Sequence, residues 1–244
     1  VTFTKASASA GRINEVFETK PSIEETATEC PAPIEGSAAL EFKNVSFAYY
    51  AGGREALKNI DFTLNSGETL GVIGSTGSGK STVANLIPRF YEATEGEILV
   101  NGVNVKNYPF ADLRRKIGLV PQKAVLFSGT LRENLLFGNP NATDEELYAA
   151  LEAAQSLDFV QKLPDGLNSK VSRGGRNFSG GQRQRLTVAR ALAAKPEILI
   201  LDDSSSALDY ATESKMRHAI EALPFSPAPI LISQLAFSLM LANK

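Results

Sequence analysis

Long apolar runs are missing from this sequence. No stretch of its 244 residues reaches the roughly 18 consecutive apolar residues that a membrane-spanning helix needs, so none reads as one. Cysteine is nearly missing too: Cys30 stands alone, which excludes an internal disulfide and suits a reducing compartment. Neither sign of charge dominates. With 25 Lys and Arg against 27 Asp and Glu, the formal net charge of -2 offers no electrostatic case for wrapping DNA or RNA. The one histidine, His218, lies in SKMRHAIEAL and reads as a solvated helix residue. The opening stretch VTFTKASASAGRINEVFE lacks the basic region and apolar core of a signal peptide. What is present, 43% hydrophobic and 21% charged residues, is ordinary for a globular chain of one large or two small domains.

Residues 1–37 differ from the rest. KASASAGRINEVFE has helical character, and TKPSIEETATECPAPIEGSA reads as a polar, extended linker containing Pro21, Pro31 and Pro33. From Ala38 the pattern turns β-like: ALEFKNVSFAY alternates, and EALKNIDFTL, TLGVIG, GEILV, KIGLVPQ and APILISQ are further strand candidates. STVANLIPRF, DEELYAALEAAQSLDFVQKL and the stretch from Gln182 to Ala194 read as helices, with Thr143 capping the second. Strands flank a helical block, so the expected fold is α/β with a β-rich core and an inserted helical subdomain.

GSTGSGKS, residues 74–81, fits the pattern G-x-x-x-x-G-K-[ST] without a mismatch. Its members are Gly74, Ser75, Thr76, Gly77, Ser78, Gly79, Lys80 and Ser81, with Thr82 next. Glycines let backbone N–H groups turn inward around phosphate oxygens, and the loop feeds a helix start that favours anionic charge. Lys80 is expected on the β- and γ-phosphates and Ser81 on Mg²⁺. An apolar strand precedes the loop and a helix follows, as the motif requires.

EILILDDSSSALD sends four apolar residues straight into Asp202 and Asp203. The run reads as a fully buried strand, and two acids at its end are costly unless each has a partner. Asp202 is expected to be the second Mg²⁺ partner. Side chains alternate at a strand end, so Asp203 is expected to project towards the γ-phosphate and its attacking water. Asp209 fits the N-cap of a helix starting near Ala211.

FSGGQRQRLTVARAL opens an amphipathic helix with a glycine pair, a second place for an anion. One chain has one γ-phosphate at its own loop, so this helix start makes sense if it serves another chain's nucleotide. Here the sequence resembles the nucleotide-binding domain of the ATP-binding cassette (ABC) transporters over roughly residues 40–234. Ser179, Gly180, Gly181 and Gln182 match the family signature, and loop plus signature plus SALD at these spacings is highly specific. The resemblance implies a P-loop NTPase core of ABC type with an antiparallel β subdomain and an inserted helical subdomain at about 128–194. It also implies ATP and Mg²⁺ as cofactors. Tyr49 takes the place of the family's aromatic that stacks on adenine, and Gln122 that of the Q-loop glutamine, which touches Mg²⁺ or water. Ser206, Ala207, Leu208 and Asp209 match the D-loop. The family sandwiches two ATP molecules between head-to-tail domains.

ASAGRINEVFETKP resembles the end of the last transmembrane helix and the linker of exporter-type members. Residues 1–37 are therefore expected to join a membrane domain of the same polypeptide to a nucleotide-binding domain over 38–244, on the cytoplasmic face of the membrane. Family members continue beyond the strand near Leu231, so the C-terminal end is expected to be missing.

Three positions depart from the pattern. Asp203 stands where hydrolysing members carry glutamate, and its shorter reach sets the carboxylate back by about 1 Å, which can cost roughly 100-fold in rate. Gln234 stands where the family has the switch histidine; glutamine donates a hydrogen bond but carries no titrating charge. Arg173, in VSRGGRN, replaces an acid in a segment that touches the membrane domain. An intact loop and signature beside two altered site residues are similar to the degenerate half of a heterodimeric exporter. Its partner would supply a catalytic Glu. The alternatives are a homodimeric exporter with Asp203 as a working base, a soluble ABC ATPase, and a nucleotide-gated module without turnover.

Overall fold

The computed structural model describes residues 2–203 and 208–234. Helix α1, Thr2–Glu18, leaves Ile13, Val16 and Phe17 exposed. Residues 19–39 then have no regular structure. They are held to the body at defined points. Arg89, 4% exposed, donates to the Glu24 carbonyl at 3.0 Å, and the Phe110 N–H donates to Glu25 Oε1 at 2.6 Å.

Two sheets are built from interleaved segments. Strands β1 (Leu40–Phe47) and β2 (Leu57–Leu64) pair antiparallel. Strand β3 (Leu70–Ile73) leaves them for the second sheet and runs into helix α2 (Lys80–Leu86). Strands β4 (Glu95–Val100) and β5 (Val103–Asn104) return to complete the antiparallel order β2-β1-β4-β5. The alternation expected in β1 holds only for its first half. Asn44 takes a positive φ of 50°, the register shifts between Lys43 and Ser46, and Val45, Ser46 and Phe47 are all buried. A bulge of this kind re-aims the strand end.

Helix α3 (Phe110–Arg115) and strand β6 (Ile117–Val120) lead into the helical block. It comprises β7 (Gly129–Thr130), α4 (Leu131–Leu136), α5 (Asp144–Ala153), α6 (Leu157–Val160), β8 (Lys170–Val171) and α7 (Gly180–Ala193). Thr143 caps α5 in a reciprocal box with Glu146, as expected. The continuous helix expected from Asp144 to Leu163 is corrected to two. Gln155 has a φ of 55°, the Ser156 N–H bonds back to the Leu151 carbonyl at 2.7 Å, and a new turn begins at Leu157. The break puts fully buried Val160 into the same core as Leu147 and Leu151.

Strand β9 (Ile198–Asp202), helix α8 (Tyr210–Glu221) and strand β10 (Ala228–Ser233) finish the described chain. The second sheet is parallel, in the order β3-β10-β9-β6. Its β9 explains the apolar run: Ile198 and Ile200 enter one core with β1 and α2, and Leu199 and Leu201 enter another with α4, α5 and α7. A parallel strand covered on both faces needs apolar residues at every position.

Candidate active site at the carboxyl edge of the parallel sheet

The parallel register aligns four strand ends. Ile230 pairs Leu70 and Ile200, and Leu201 pairs Val120. The residues beyond those ends are Gly74 after β3, Asp203 after β9, Gln234 after β10 and Gln122 after β6. The carboxyl edge of an open parallel sheet is where such folds place ligands.

Residues 74–79 form a loop that only glycine permits at its base. Gly79 has a φ of 92°, and a Cβ there would lie 2.7 Å from the Ala56 carbonyl oxygen and 2.8 Å from Leu57 Cδ2. Lys80 Nζ curls over the loop and donates to the Gly74 and Ser75 carbonyls at 2.6 and 2.7 Å.

Asp202 is half-buried, and burial pushes its carboxyl above the usual range. A side-chain hydrogen bond with Ser81 pulls it back, the Asp203 charge pushes it up, and the Lys80 charge pulls it down. A hydroxyl paired with a carboxylate whose ionised form is disfavoured is a hard oxygen pair that a divalent cation relieves. The residues present therefore fit Mg²⁺.

Asp203 takes a left-handed φ of 46°, and its N–H donates to the Ile232 carbonyl at 2.8 Å. Its Oδ2 accepts a hydrogen bond from Gln122 Nε2 at 2.9 Å. Gln234 Oε1 accepts from the Thr76 hydroxyl at 3.4 Å. Tyr49 is 46% exposed, and its hydroxyl sits 2.9 Å from buried Thr82 Oγ1. Its ring stands edge-on to Phe47 at 4.8 Å and to Tyr91 at 5.2 Å between centroids.

The signature turn is built separately. Ser179 Oγ accepts from the Gln182 N–H at 3.2 Å, and the Ser179 N–H donates to Gln182 Oε1 at 2.9 Å. Gly180 and Gly181 open α7 beyond it. Among the described residues no hydrogen bond joins this turn to the loop at 74–81. Asp209 caps α8, with Oδ1 accepting from the Thr212 N–H at 2.9 Å, and that contact holds its carboxyl below the usual range. Ser206 and Ala207 lie outside the described residues; Leu208 packs against the helical core.

Sequence reasoning brought Gly74, Asp202, Asp203, Gln234 and Gln122 to one region, and the structure does the same. It missed the Gln122–Asp203 bond and the ring of Tyr91 beside Tyr49. Tyr91 carries a weak signal, the RFYEATEGEI stretch after α2, but nothing local ties it to Tyr49.

The comparisons with known proteins agree on the family. The family described as ABC transporter matches residues 57–206. An uncharacterized ABC transporter ATP-binding protein, YfiB, of Bacillus subtilis (strain 168) is 43% identical over 242 residues, covering 99% of this chain and 41% of its own length. A putative multidrug export ATP-binding/permease protein of Staphylococcus aureus (strain NCTC 8325 / PS 47) is 41% identical over 213 residues, covering 87% of this chain and 37% of its own. A solved structure of a bacterial Atm1-family ABC exporter with ATP bound superposes with a TM-score of 0.89 at 30% identity, over 99% of this chain and 42% of that one. The chain thus spans about two fifths of the length of the curated relatives it matches. With its phosphate loop, its mixed α/β sheets and this family match, the chain belongs to the ABC transporter family and is its ATPase domain.

Proposed function

We propose that this chain is the ATP-binding motor domain of a membrane exporter, working head-to-tail with a second ABC nucleotide-binding domain. The names of the relatives speak for export. Residues 1–37 join it to a transmembrane domain of the same polypeptide, residues 38–244 are the nucleotide-binding domain, and about 128–194 its helical subdomain. This puts the domain on the cytoplasmic face. No described helix is long and apolar enough to cross a membrane.

The observation that carries this reading is the Ser81–Asp202 pair beside Lys80, beneath a loop that tolerates only glycine at Gly79. When bound, Mg-ATP supplies the phosphoryl group and a cation that offsets its charge. Lys80 releases the Gly74 and Ser75 carbonyls to engage phosphate oxygens. Ser81 and Asp202, with Gln122, would hold the cation. Tyr49 offers its ring to the adenine. Asp203 orients water from a short arm, and Gln234 stays beside Thr76 without a titrating charge. The turn Ser179–Gln182 keeps an exposed helix start for the partner's nucleotide.

The short Asp203 and the uncharged Gln234 favour a slow site in this chain and a fast one completed with a partner that carries glutamate. The test is single-turnover hydrolysis of saturating Mg-ATP by the full-length subunit, alone and with its partner. Tight retention alone and turnover only with the partner supports the reading. Brisk turnover alone sinks the slow-site part and makes Asp203 a working base in a homodimer.

A further inference from the structure

At the opposite end of the parallel sheet from the nucleotide groups, helix α5, the last turn of α7 and the segment after α8 enclose a groove of about 250 Å³. Ala149, Ala150, Leu192, Ala193, Leu223 and Phe225 give it an apolar lining. Leu192 and Ala193 are buried, Ala149 is exposed, and Leu223 and Phe225 pack half-buried against the helical core. The space exists because alanines stand where α5 and α7 face it, so no long side chain fills it. Strands β9 and β10 begin just beyond the groove, at Ile198 and Ala228, and lead to Asp203 and Gln234 at their other ends. At about 3.3 Å per residue those two residues lie roughly 16–20 Å away.

The wall that carries Phe225 is built rather than loose. Leu223 to Ser226 form a tight turn in which the Ser226 N–H donates to the Leu223 carbonyl at 2.9 Å. Pro224 takes the second position, where its locked φ suits a turn, and Ser226 has a positive φ of 36°. The Lys195 N–H closes the end of α7 on the Leu192 carbonyl at 2.9 Å. Walls fixed in advance reduce the ordering cost of binding.

The charges around the groove are not balanced. Lys195 is committed to Glu146 Oε1, and Glu146 Oε2 accepts from the Thr143 N–H at 2.9 Å. Glu145 also lines the groove, and among the described residues it is in no ion pair. It stands one helical turn from Ala149 on the same face of α5. Helices α7 and α8 both end at the groove, at Ala193 and Glu221, and helix C-termini carry partial negative charge. The opposing positive end of α5 carries three acids in its first turn, Asp144, Glu145 and Glu146.

We propose that this groove binds a small amphipathic amine, with its apolar body between Ala149, Leu192 and Phe225 and its ammonium group on Glu145. An apolar cavity of about 150 Å³ holds benzene, so this groove of about 250 Å³ admits a ring with a short alkyl arm. A polypeptide partner buries about 800 Å² on each side of its interface, far more than so small a groove presents. A carboxylate ligand would be repelled by Glu145 and would find Lys195 already taken. The proposal goes beyond the nucleotide reading and does not rest on it.

The test titrates phenylbutylamine into the 244-residue chain carrying labelled leucine and alanine methyl groups and follows their NMR shifts. Phenylbutanol and phenylbutyrate, which share the apolar body, serve as comparison probes. The shifts gather on Ala149, Leu192 and Leu223, and affinity falls in the order amine, alcohol, carboxylate. Glu145→Gln weakens the amine about two- to fivefold, the contribution of an exposed ion pair, and leaves the alcohol unchanged. Ala149→Leu fills the groove from an exposed helix position and removes binding of amine and alcohol alike. If that variant does not fold, the Glu145→Gln comparison decides alone. Mg-ATP affinity, measured on the same proteins, stays constant, so a failed nucleotide reading is seen separately. Absent shifts, shifts that avoid the groove, equal affinity for amine and carboxylate, or an amine affinity untouched by Glu145→Gln or by a folded Ala149→Leu overturns the proposal.

Discussion

Gln122 and Asp203 are hydrogen-bonded at 2.9 Å because they extend a register already set by the sheet. Val120 pairs Leu201 across β6 and β9, and Gln122 and Asp203 each lie two residues further on. The strand pairing thus delivers a glutamine donor to a carboxylate just past the sheet edge, because positions in register on neighbouring strands share a face. The bond engages Oδ2 of Asp203 alone.

Asp203→Glu adds the missing methylene without disturbing the Asp203 N–H to Ile232 carbonyl bond that fixes the backbone there. Single-turnover hydrolysis at this site is expected to rise, towards but below about 100-fold, because a displacement of about 1 Å is worth that much and Gln234 is unchanged. A fall in rate would mean that Asp203 already has the correct reach.

Asp202→Asn separates stability from function. Burial raises the Asp202 pKa in the folded state, so its ionisation opposes folding. The folded protein holds the proton more tightly than the unfolded chain. Stability present below the ordinary aspartate range, about 3.9, is therefore lost as pH rises through the raised value. Without nucleotide the asparagine variant should melt higher than the parent at neutral pH, with the gap closing in acid. It should also lose the extra melting-temperature rise that Mg²⁺ adds to ATP. Equal melting temperatures at neutral pH would show that Asp202 carries no unfavourable charge.

The parts of this site that were legible in the sequence are those encoded locally. The glycine spacing of residues 74–79, the apolar run before Asp202 and the serine and glutamine of the signature each carry their geometry within a few residues. What was not legible depends on contacts between distant segments. The Gln122–Asp203 bond spans two strands, and the Tyr49–Thr82 bond links a strand end to a helix. The anchoring of the linker joins Glu24 to Arg89, just past α2, and Glu25 to Phe110, at the start of α3. The break at Gln155 shows the same limit within one element. Helical propensity continued through AAQSLDFV, but burying Val160 beside Leu151 required a left-handed residue.

Tyr49 has two separable contributions. Its hydroxyl pairs with Thr82, and its ring is braced by Phe47 and Tyr91. Tyr49→Phe should keep most ATP affinity, since only the hydroxyl bond is removed. Tyr49→Ala should lose about 1–3 kcal/mol, the value of stacking a base on an aromatic ring. The loss should appear for ATP and not for inorganic tripolyphosphate, measured by calorimetry. Equal losses for both ligands would place the tyrosine's contribution in the loop rather than at the adenine.

Lys80→Ala and Gly79→Ala should fail in different ways, and the difference tests how the loop is built. Lys80 bonds the Gly74 and Ser75 carbonyls in the free loop. The loop lies at the surface, so water can replace the lysine there. Lys80→Ala should therefore leave the nucleotide-free melting temperature nearly unchanged. Gly79 is confined by the Ala56 carbonyl and Leu57, and it sits at a φ of 92°. An alanine there adds about 1–2 kcal/mol for the left-handed backbone alone, with the crowding on top. Gly79→Ala should lower that melting temperature outright, because β2 begins at Leu57 and has to shift to admit the methyl group. Both variants should lose the stabilisation that ATP confers by binding the folded state. Thermal scans with and without Mg-ATP distinguish the two. A Lys80→Ala protein that melts far below its parent would assign the lysine to the fold of the loop, and one that keeps its nucleotide-induced shift would remove it from phosphate binding.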